Sequence, residues 1–559
     1  QDLGLRVSES IGRSVKLWFS QIIKSTVPVR VSSSLAWKPS CATQPLGAKF
    51  FTWPVLWTVI ATLAILWPAL ASGGIIKGLN PIHVENRKPG TTDWILTRPA
   101  RHHEIEGYAS KTSVNRGGTL LFFINTDAEF YNVRIFRMGW YGGAGARELV
   151  KPIRRRGQRQ PAPSIDPSTG LIECRWNNPI RLTIPQNPLD ATDWASGVYV
   201  AKLTAEPTGY DSYITFVVRD DARPSTYLVQ SSVTTFQAYN NWGGKSLYAF
   251  NSIGDQAAKV SFDRPYASSP IQEAASGAGA GDLLTSNSIP VGYPASAAGW
   301  EYNMIRWLEK EGYDVTYATN IDVHAHQDLL GSHNAFLSIG HDEYWSGEMR
   351  RNVEQARDRG VHLGFFSSNT CYWQIRLEPS RFTGELNRTI VAYKENAPWH
   401  DPLSLDQDPK NDHLVTTKWR NEPVNSPEAS LLGSMFLEVE TPVNGDFVIE
   451  NAENWITHNT GLSKGSSLRG VVGYEVDGMS ASSPPATRVV ARSSVIQNAG
   501  TATVYHAASG AVVFSSGSMQ WSWGLDDYNA PELRTSVLSA AVQQMTRNIL
   551  ARLGGAEDR

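Results

Sequence analysis

The stretch NAFLSIGHDEYWSGEMRRNVEQARDRGVHLGFFSSN, residues 334–369, decides the fold. Its ends, NAFLSIG (334–340) and VHLGFFSSN (361–369), are apolar runs typical of strands that are covered on both faces. The segment between them predicts a helix, with Ser346 as its N-cap. A strand, a helix and a second strand in this order predict two parallel neighbours in one sheet.

The same alternation precedes this stretch. STYLVQSS (225–232) predicts a strand, GWEYNMIRWLEKEG (299–312) predicts an amphipathic helix that stops at Gly312, and YDVTYATN (313–320) predicts another strand. The repeated β-α-β order predicts an α/β domain over residues 223–559, with helices on both sides of a parallel sheet.

The alternation of strands and helices ends after this core. Residues 377–470 predict an irregular insertion that contains strands. The segment TVYHAASGAVVFSSGS (503–518) predicts a hairpin, and residues 531–553 predict a final helix.

Residues 102–220 have a β pattern instead. Segments such as GTLLFFINT (118–126) and YNVRIFRMGW (131–140) are short, and Gly and Pro turns separate them. Short strands with frequent turns predict an immunoglobulin-like β-sandwich, with its domain over residues 80–222.

Composition excludes several classes of protein. The 559 residues include 51 Lys or Arg and 53 Asp or Glu, giving a net charge of −2. This balance argues against a nucleic-acid binder, which needs a basic surface. Beyond the N-terminal region the chain has two cysteines, Cys174 and Cys371, so we expect no disulfide framework.

The N-terminal region predicts export. Residues 1–49 carry seven basic and two acidic residues, and no charge follows until Lys77. The apolar segment 50–76 fits a signal peptide, with Ala69-Leu70-Ala71 as its cleavage pattern, or a transmembrane anchor. A buried core helix is the plainer alternative. Either export route places the body outside the cytoplasm, secreted or membrane-anchored.

Two polar clusters follow the two strands of the deciding stretch. GHDEYW (340–345) follows the first strand, and SSNTCYW (367–373) follows the second. Ligands of open α/β sheets bind beyond the carboxyl ends of the strands, so His341, Glu343, Tyr344 and Tyr372 are expected at one mouth. Two further polar segments are GYEVD (473–477) and YNNWGGKSLY (239–248).

These motifs resemble a known family. YNNWGGKSLYAF, EYNMIRWLEKEGYDVTY, GHDEYW and the Asn-x-x-Tyr-Trp end of the next strand are similar to the large-subunit domain of the N,N-dimethylformamidase family. The resemblance covers roughly Ser225 to the C-terminus. It implies a flavodoxin-like or class I glutamine-amidotransferase-like sheet, and hydrolysis of an amide at a single iron held by two tyrosines and one glutamate.

Matched residue by residue, the resemblance implies iron ligands at Tyr344, Tyr372 and Glu475. Phenolate and carboxylate oxygens are hard donors that suit ferric iron, which activates an amide carbonyl or a water. Beside the ligands, His341 and Glu343 are candidates for a general base or for orienting a ligand.

Further residues complete the predicted site, each with a plainer reading. Tyr239, Trp242 and Asn369 are predicted to line the pocket of a small amide substrate. The plainer alternatives are core edges for the two tyrosine ligands, a solvated turn for Glu475 and a strand cap for His341.

Two other functions remain open from the sequence. Cys371 follows a buried strand and could be a nucleophile with His341 or His506 as its base, although the flanking glycines of a nucleophile elbow are missing. A non-catalytic cell-surface or glycan-binding protein would use the Trp-rich faces. The resemblance also implies a small partner subunit and an intracellular enzyme, which the export signal does not match. The oligomeric state stays open.

Overall fold

A computed structural model describes residues 80–187, 193–269, 277–286, 297–441, 444–452, 454–496 and 498–555. The basic head (1–49) and the apolar segment (50–76) lie outside these ranges, so export and anchoring stay predictions. None of the described helices combines the length and the apolar composition needed to cross a bilayer. By its internal contacts the chain divides at residue 77, and the following description concerns the unit 78–559. The predicted domain boundary near residue 222 stays a prediction.

The helices are α1 (Pro81–Glu85), α2 (Val233–Tyr239), α3 (Glu301–Glu311), α4 (Asn320–Ala325), α5 (Gly347–Asp358), α6 (Ala397–His400), α7 (Pro402–Leu405), α8 (Ala429–Leu432) and α9 (Ala540–Leu553). The strands of the first half are β1 (Ile105–Ala109), β2 (Ser113–Asn115), β3 (Thr119–Thr126), β4 (Phe130–Met138), β5 (Ala146–Glu148), β6 (Ile153–Arg156), β7 (Ser164–Ile165), β8 (Ile172–Glu173), β9 (Ile180–Thr183), β10 (Gly197–Glu206), β11 (Asp211–Arg219), β12 (Tyr227–Ser231) and β13 (Lys259–Ser261). Those of the second half are β14 (Val315–Thr319), β15 (Ala335–His341), β16 (Tyr344–Ser346), β17 (His362–Ser368), β18 (Trp373–Glu378), β19 (Thr389–Val391), β20 (Met435–Glu440), β21 (Gly445–Ile449), β22 (Ser467–Val472), β23 (Glu475–Gly478), β24 (Arg488–Ser493), β25 (Thr501–His506) and β26 (Val512–Ser515).

Two β sheets enclose the first core. One sheet has the order β1-β3-β9, and the other has the order β2-β11-β10-β4-β5, with β6 also paired to β4. Alternate residues of β3, such as Leu120 and Phe122, pack against alternate residues of β4, such as Val133 and Ile135. This period of two is what a strand with one covered face requires. The region predicted as β is therefore β, while its assignment as immunoglobulin-like stays a prediction.

The second core surrounds a nine-stranded sheet. Its order is β14-β12-β15-β17-β26-β25-β24-β21-β22, and the first five strands run parallel. Successive residues of β12 face opposite sides: Tyr227 and Val229 join the core of α3 and α9, and Leu228 joins the core of α5. Helices therefore pack on both sides of the parallel strands. The name flavodoxin-like stays a prediction.

The segment after β17 is more ordered than the sequence suggests. Strands β18 and β19 pair within a four-stranded sheet of order β13-β19-β18-β16, and β21 and β22 extend the main sheet. The predicted hairpin is the antiparallel pair β25–β26. The final helix starts at Ala540, later than predicted, because Ser539 is its N-cap and accepts from the Val542 N–H at 3.3 Å.

Strand register brings the two polar clusters together. His341, the last residue of β15, lies opposite Ser368, the last residue of β17. Beyond these ends the Cys371 N–H donates to the Asp342 carbonyl, and the Tyr372 N–H donates to the Glu343 carbonyl, each at 2.9 Å. The residues that follow both strands therefore leave the sheet at one edge, as predicted from parallel pairing.

Candidate functional site

The loop after β15 depends on one glycine and one buried acid. Gly340 has a φ of 68°, and a Cβ there would come within 2.9 Å of the Cβ of Trp300, so a side chain would be both strained and crowded. The Asp342 carboxylate then accepts from Gln230 at 2.6 Å, Ser338 at 2.8 Å and Asn320 at 2.9 Å. These hydrogen bonds fix the direction in which the next two residues leave the sheet.

Glu343 is the hydrogen-bond acceptor at the centre of the site. It is buried, and its Oε2 accepts from the hydroxyl of Tyr239 at 2.8 Å. Its Oε1 accepts from the hydroxyl of Tyr248, also at 2.8 Å. The hydroxyl of Tyr344 donates to that of Tyr248 at 2.5 Å. Two phenols therefore donate to one carboxylate, and the third is linked to it through Tyr248.

A second carboxylate joins through a histidine. Nε2 of His341 lies 3.3 Å from Oε2 of Glu343 and 2.9 Å from Oε2 of Glu475. The Asn369 side-chain amide donates to the same Glu475 oxygen at 2.9 Å. A nitrogen between two carboxylates must carry the hydrogen, so His341 is protonated at Nε2. We call this group the tyrosine–carboxylate cluster; its members are Tyr239, Tyr248, His341, Glu343, Tyr344, Asn369 and Glu475.

Asp477 supports the cluster from behind. Asn369 has a φ of 49°, a left-handed conformation that few residues other than glycine adopt. One oxygen of the buried Asp477 carboxylate accepts from the Asn369 N–H and from the Ser368 hydroxyl, each at 2.8 Å. These bonds hold the backbone turn that points the Asn369 amide toward Glu475.

One lysine lies beside the cluster. Lys394 is 3% exposed, and its Nζ lies 3.3 Å from the ring centroid of Tyr248 and donates to the Leu247 carbonyl at 3.0 Å. Burial lowers the pKa of Lys394 to about 8, against the opposing charges of Glu343 and Glu395. The ammonium over the ring face is a cation–π contact.

The pKa values of the phenols and of the Glu343 carboxyl shift in opposite directions. Burial and then the charge of Glu343 raise the pKa of Tyr239 and Tyr248 well above its usual range. Burial also acts on Glu343, but His341 and Lys394 outweigh it and lower the pKa of that carboxyl. Burial opposes a charge on His341 as well, yet Glu475 and Glu343 raise its pKa to about 10. The cluster therefore contains neutral phenols, a carboxylate and an imidazolium.

Most of the predicted site residues meet in this cluster. His341, Glu343, Tyr344, Glu475, Tyr239 and Asn369 all belong to it. Two do not. The ring of Tyr372 packs against Trp373 and Phe436, at 4.8 and 5.5 Å between centroids, and its hydroxyl is hydrogen-bonded to Glu438, while the charge of Glu343 acts on it only electrostatically.

Trp242 is the second residue outside the cluster. Its Nε1 donates to Glu106 of β1 at 2.7 Å, and it faces a 370 Å³ cleft beside the β sheets that His103 and Tyr266 also line. Its predicted role in a substrate pocket stays a prediction, because its indole N–H is hydrogen-bonded to Glu106 and not to a cluster residue.

Tyr248 of the cluster and the adjacent Lys394 are the residues that sequence reasoning missed. Tyr248 lies in the segment 239–248, where the alternation of aromatic and turn residues marked a loop but did not single out its last tyrosine. Lys394 follows β19 in a stretch with no distinguishing pattern, so its position beside Tyr248 is visible only in three dimensions.

The family resemblance implies an iron ion, and the donor atoms of the cluster decide whether such an ion fits. Among the described residues, no group of three or more His, Cys, Asp or Glu is arranged as a metal site. The cluster, however, offers mainly phenol oxygens, which lie outside that group, together with two carboxylates. The buried Asn369 Oδ1 has no hydrogen-bond partner in the described chain. Such a set of hard oxygen donors fits a ferric ion.

A buried acid behind the cluster predicts a pH effect on stability. Burial raises the pKa of Glu301 to about 8, and Asp342 and Asp282 add to the effect, while hydrogen bonds from Ser231 and Ser232 oppose it. A carboxyl whose pKa is raised on folding stabilises the fold at low pH and loses that contribution as pH rises through the folded-state value. Between about pH 5 and 9 the free energy of unfolding should therefore fall more in the wild type than in Glu301→Gln. Urea unfolding at both pH values measures this difference.

The control for this prediction is Glu354→Gln, on the outer side of α5, where the carboxylate pairs with Arg350 and is one third exposed. It should keep the wild-type dependence on pH. Equal slopes for wild type and Glu301→Gln would contradict a protonated Glu301.

Comparison with known proteins gives one clear match. The family model described as N,N-dimethylformamidase beta subunit-like, C-terminal, matches residues 132–533. The match starts inside the β sheets, well before the residue near 225 that the motifs suggested. Among solved structures, the crystal structure of murine CEACAM1b is similar at 12% identity over 23% of this chain and 62% of that chain, with a TM-score of 0.12. This chain thus spans less than two thirds of that structure, and the similarity supports no conclusion. No curated protein matches the chain.

Proposed function

Because this chain belongs to the N,N-dimethylformamidase beta subunit-like family, we propose that it hydrolyses a carbon–nitrogen amide bond at the tyrosine–carboxylate cluster. The observation that carries the proposal is the convergence of three phenols, two carboxylates and a protonated imidazole within one buried network. Titratable groups that are buried together with strongly shifted pKa values occur preferentially at functional sites. Three of these groups, His341, Glu343 and Tyr344, lie at the carboxyl end of β15.

A single ferric ion is proposed at this cluster. Tyr344 and Glu475 would hold it as the resemblance implies, with Tyr248 as the second phenol because its hydroxyl lies beside that of Tyr344 and the ring of Tyr372 lies elsewhere. When bound, such an ion supplies a Lewis acid that polarises an amide carbonyl.

The chain's own residues supply the proton transfers. Glu343 accepts one proton from the attacking water, whose oxygen forms a bond to the amide carbon. His341 donates its Nε2 proton to the amide nitrogen, so that the carbon–nitrogen bond breaks and an amine leaves. Glu343 lies 3.3 Å from Nε2 and can return its proton to that atom. The balance is one water and one amide consumed, and one carboxylic acid and one amine formed.

The alternative nucleophile, Cys371, has an unsuitable environment. Its thiol is fully buried among apolar side chains such as Trp345 and Phe365. Burial raises the pKa of the Cys371 thiol well above its usual range, whereas a nucleophilic cysteine needs a lowered pKa. His341 is engaged with two carboxylates, and His506 is exposed at the end of β25.

The test compares metal content and amine release in the full chain. Wild type should contain iron, show the visible absorption of phenolate bound to ferric iron, and release amine from N,N-dimethylformamide or N-acetylglycine. Tyr344→Phe should lose the absorption and the activity together, because it removes a phenol oxygen and little else. The matched control is Tyr210→Phe, whose hydroxyl contacts Arg98 on the β sheets.

Two results would count against the proposal. Amine release that Tyr344→Phe leaves unchanged would remove the cluster from the reaction. Folded wild type that releases no amine from either amide, and binds polysaccharide instead, would favour the glycan-binding alternative.

A further inference from the structure

The ammonium of Lys394 is a buried positive charge without a carboxylate beside it. Within 4.0 Å, none of the ion pairs between described residues includes Lys394. Its one hydrogen-bond acceptor in the described chain is the Leu247 carbonyl, although an ammonium has three N–H groups. Burying a charge that is not fully paired is costly, so such a group calls for an explanation.

The neighbouring cations are different. Lys418 pairs with Glu438 at 2.7 Å, and Arg420 pairs with Glu428 at 3.0 Å. Both cations lie 5.2 Å from the ring centroid of Tyr372, farther along the same side of the site. Of these three cations, Lys394 is therefore the one that forms no ion pair with a carboxylate in the described chain.

The position of Lys394 is defined by one phenol. Its Nζ lies over the Tyr248 ring, and the hydroxyl of the same ring donates to Glu343. The ammonium and the proposed general base therefore contact the same phenol, one at its ring face and the other at its hydroxyl. In an N-acyl amino acid, only the amide nitrogen and the Cα separate the carboxylate from the amide carbon, so both groups of one such ligand can lie beside one tyrosine.

The tyrosine whose ring face carries the ammonium borders on solvent. Tyr248 is partly exposed, and its neighbour Phe250 is 55% exposed. The ring of Trp373 lies 5.2 Å from Nζ, so aromatic faces adjoin the ammonium on two sides. Apolar walls with one charged group are the usual composition of a pocket that orients a small ligand.

We propose that the Lys394 ammonium binds the carboxylate of the amide substrate, so that the substrate class is N-acyl amino acids or similar amides that carry a carboxylate. This inference rests on the proposed function, because it takes Glu343 as the place of reaction. A charge pair formed in a buried site contributes strongly to affinity and to discrimination against neutral analogues.

The experiment uses two amides of similar size, N-acetylglycine and N-ethylacetamide, with the full chain. Wild type should prefer N-acetylglycine. Lys394→Met keeps the length of the side chain and removes its charge, so it should lower kcat/KM for N-acetylglycine by about 10- to 100-fold, chiefly through KM. Activity on N-ethylacetamide should fall much less, and only as far as the loss of this nearby positive charge raises the pKa of Glu343. Lys394→Arg keeps the charge and should restore most of the preference.

Several outcomes would overturn the inference. An equal loss on both amides would mean that Lys394 holds the Leu247–Tyr248 backbone in place and does not select substrate. An absence of preference in wild type would do so as well, and this measurement remains decisive if Lys394→Met fails to fold.

Calorimetry distinguishes a failure of the proposed amidase function from a failure of the carboxylate site. Binding of N-acetylglycine that needs the charge of Lys394, without hydrolysis of either amide, would end the amidase proposal and keep the carboxylate site. Hydrolysis of both amides without preference would keep the amidase proposal and end the carboxylate site.

Discussion

Glu343→Gln is expected to lower kcat/KM for a hydrolysable amide by about 10²- to 10⁴-fold, the range of a lost general base. The substitution keeps the shape of the side chain but removes its negative charge. In the wild type the carboxylate accepts hydrogen bonds from Tyr239 and Tyr248 and pairs with His341. A glutamine has one acceptor oxygen, so one of these partners must lose its hydrogen bond. Steady-state amine release by wild type and variant measures the effect.

The control separates chemistry from folding. Glu354→Gln changes the same residue type on the outer side of α5 and should leave kcat/KM within a few-fold of wild type. Circular dichroism of both variants should match that of wild type. If Glu343→Gln retains full activity while folded, Glu343 is not the base, and Glu475 becomes the carboxylate to test.

Arg137→Met is expected to lower the free energy of unfolding by about 3–5 kcal/mol. Arg137 of β4 and Glu309 of α3 are both fully buried, and the guanidinium donates two hydrogen bonds to the carboxylate, at 2.7 and 2.9 Å. The same guanidinium donates to the Ser196 carbonyl. Removal of one partner leaves the Glu309 carboxylate buried and uncompensated. Urea unfolding followed by circular dichroism measures the loss.

Two further variants make this prediction specific. The double variant Arg137→Met/Glu309→Met removes both charges and should recover much of the lost stability, because apolar side chains then fill the site. Arg159→Met removes one partner of an exposed pair with Asp127 and should cost no more than about 1 kcal/mol. A loss in the double variant as large as in the single one would show that packing, not the unpaired charge, is responsible.

The amino-acid pattern was sufficient to predict the layers of the fold. Apolar runs covered on both faces predicted β15 and β17 as neighbours, and period-two alternation predicted β3 and β4. These patterns are local, and each reflects how a strand divides its side chains between two faces. The start of α9 was predicted too early because the choice of Ser539 as N-cap depends on where the preceding loop leaves the core.

The same local logic predicted half of the candidate site. His341, Glu343 and Tyr344 follow a strand end directly, and Asn369 follows the neighbouring strand end. Parallel pairing places both ends at one edge, so their proximity needs no tertiary information beyond the sheet. Glu475 was matched through the family motif, and the structure places its carboxylate on His341.

The position of the Tyr372 ring could not be predicted from the order of the strands. Asn369 and Cys371 both have left-handed backbone angles, with φ of 49° and 56°. Two such angles in non-glycine residues turn the chain, so that the Tyr372 backbone pairs with Glu343 while its ring packs on Phe436. No local pattern indicates these angles, because the fixed partner Asp477 that stabilises one of them lies far away in the sequence.

The sequence by itself determined the alternation of strands and helices in the parallel core, the edge of the sheet where chemistry is expected, and membership of the family. Tertiary structure alone decided which phenol lies beside Tyr344 and which cation lies beside the cluster. Tyr248 reaches Glu343 across 95 residues of sequence, and Lys394 arrives on a separate loop. Local patterns record the periodicity of a single element, whereas such contacts depend on how several elements pack, and that information is spread over the whole chain.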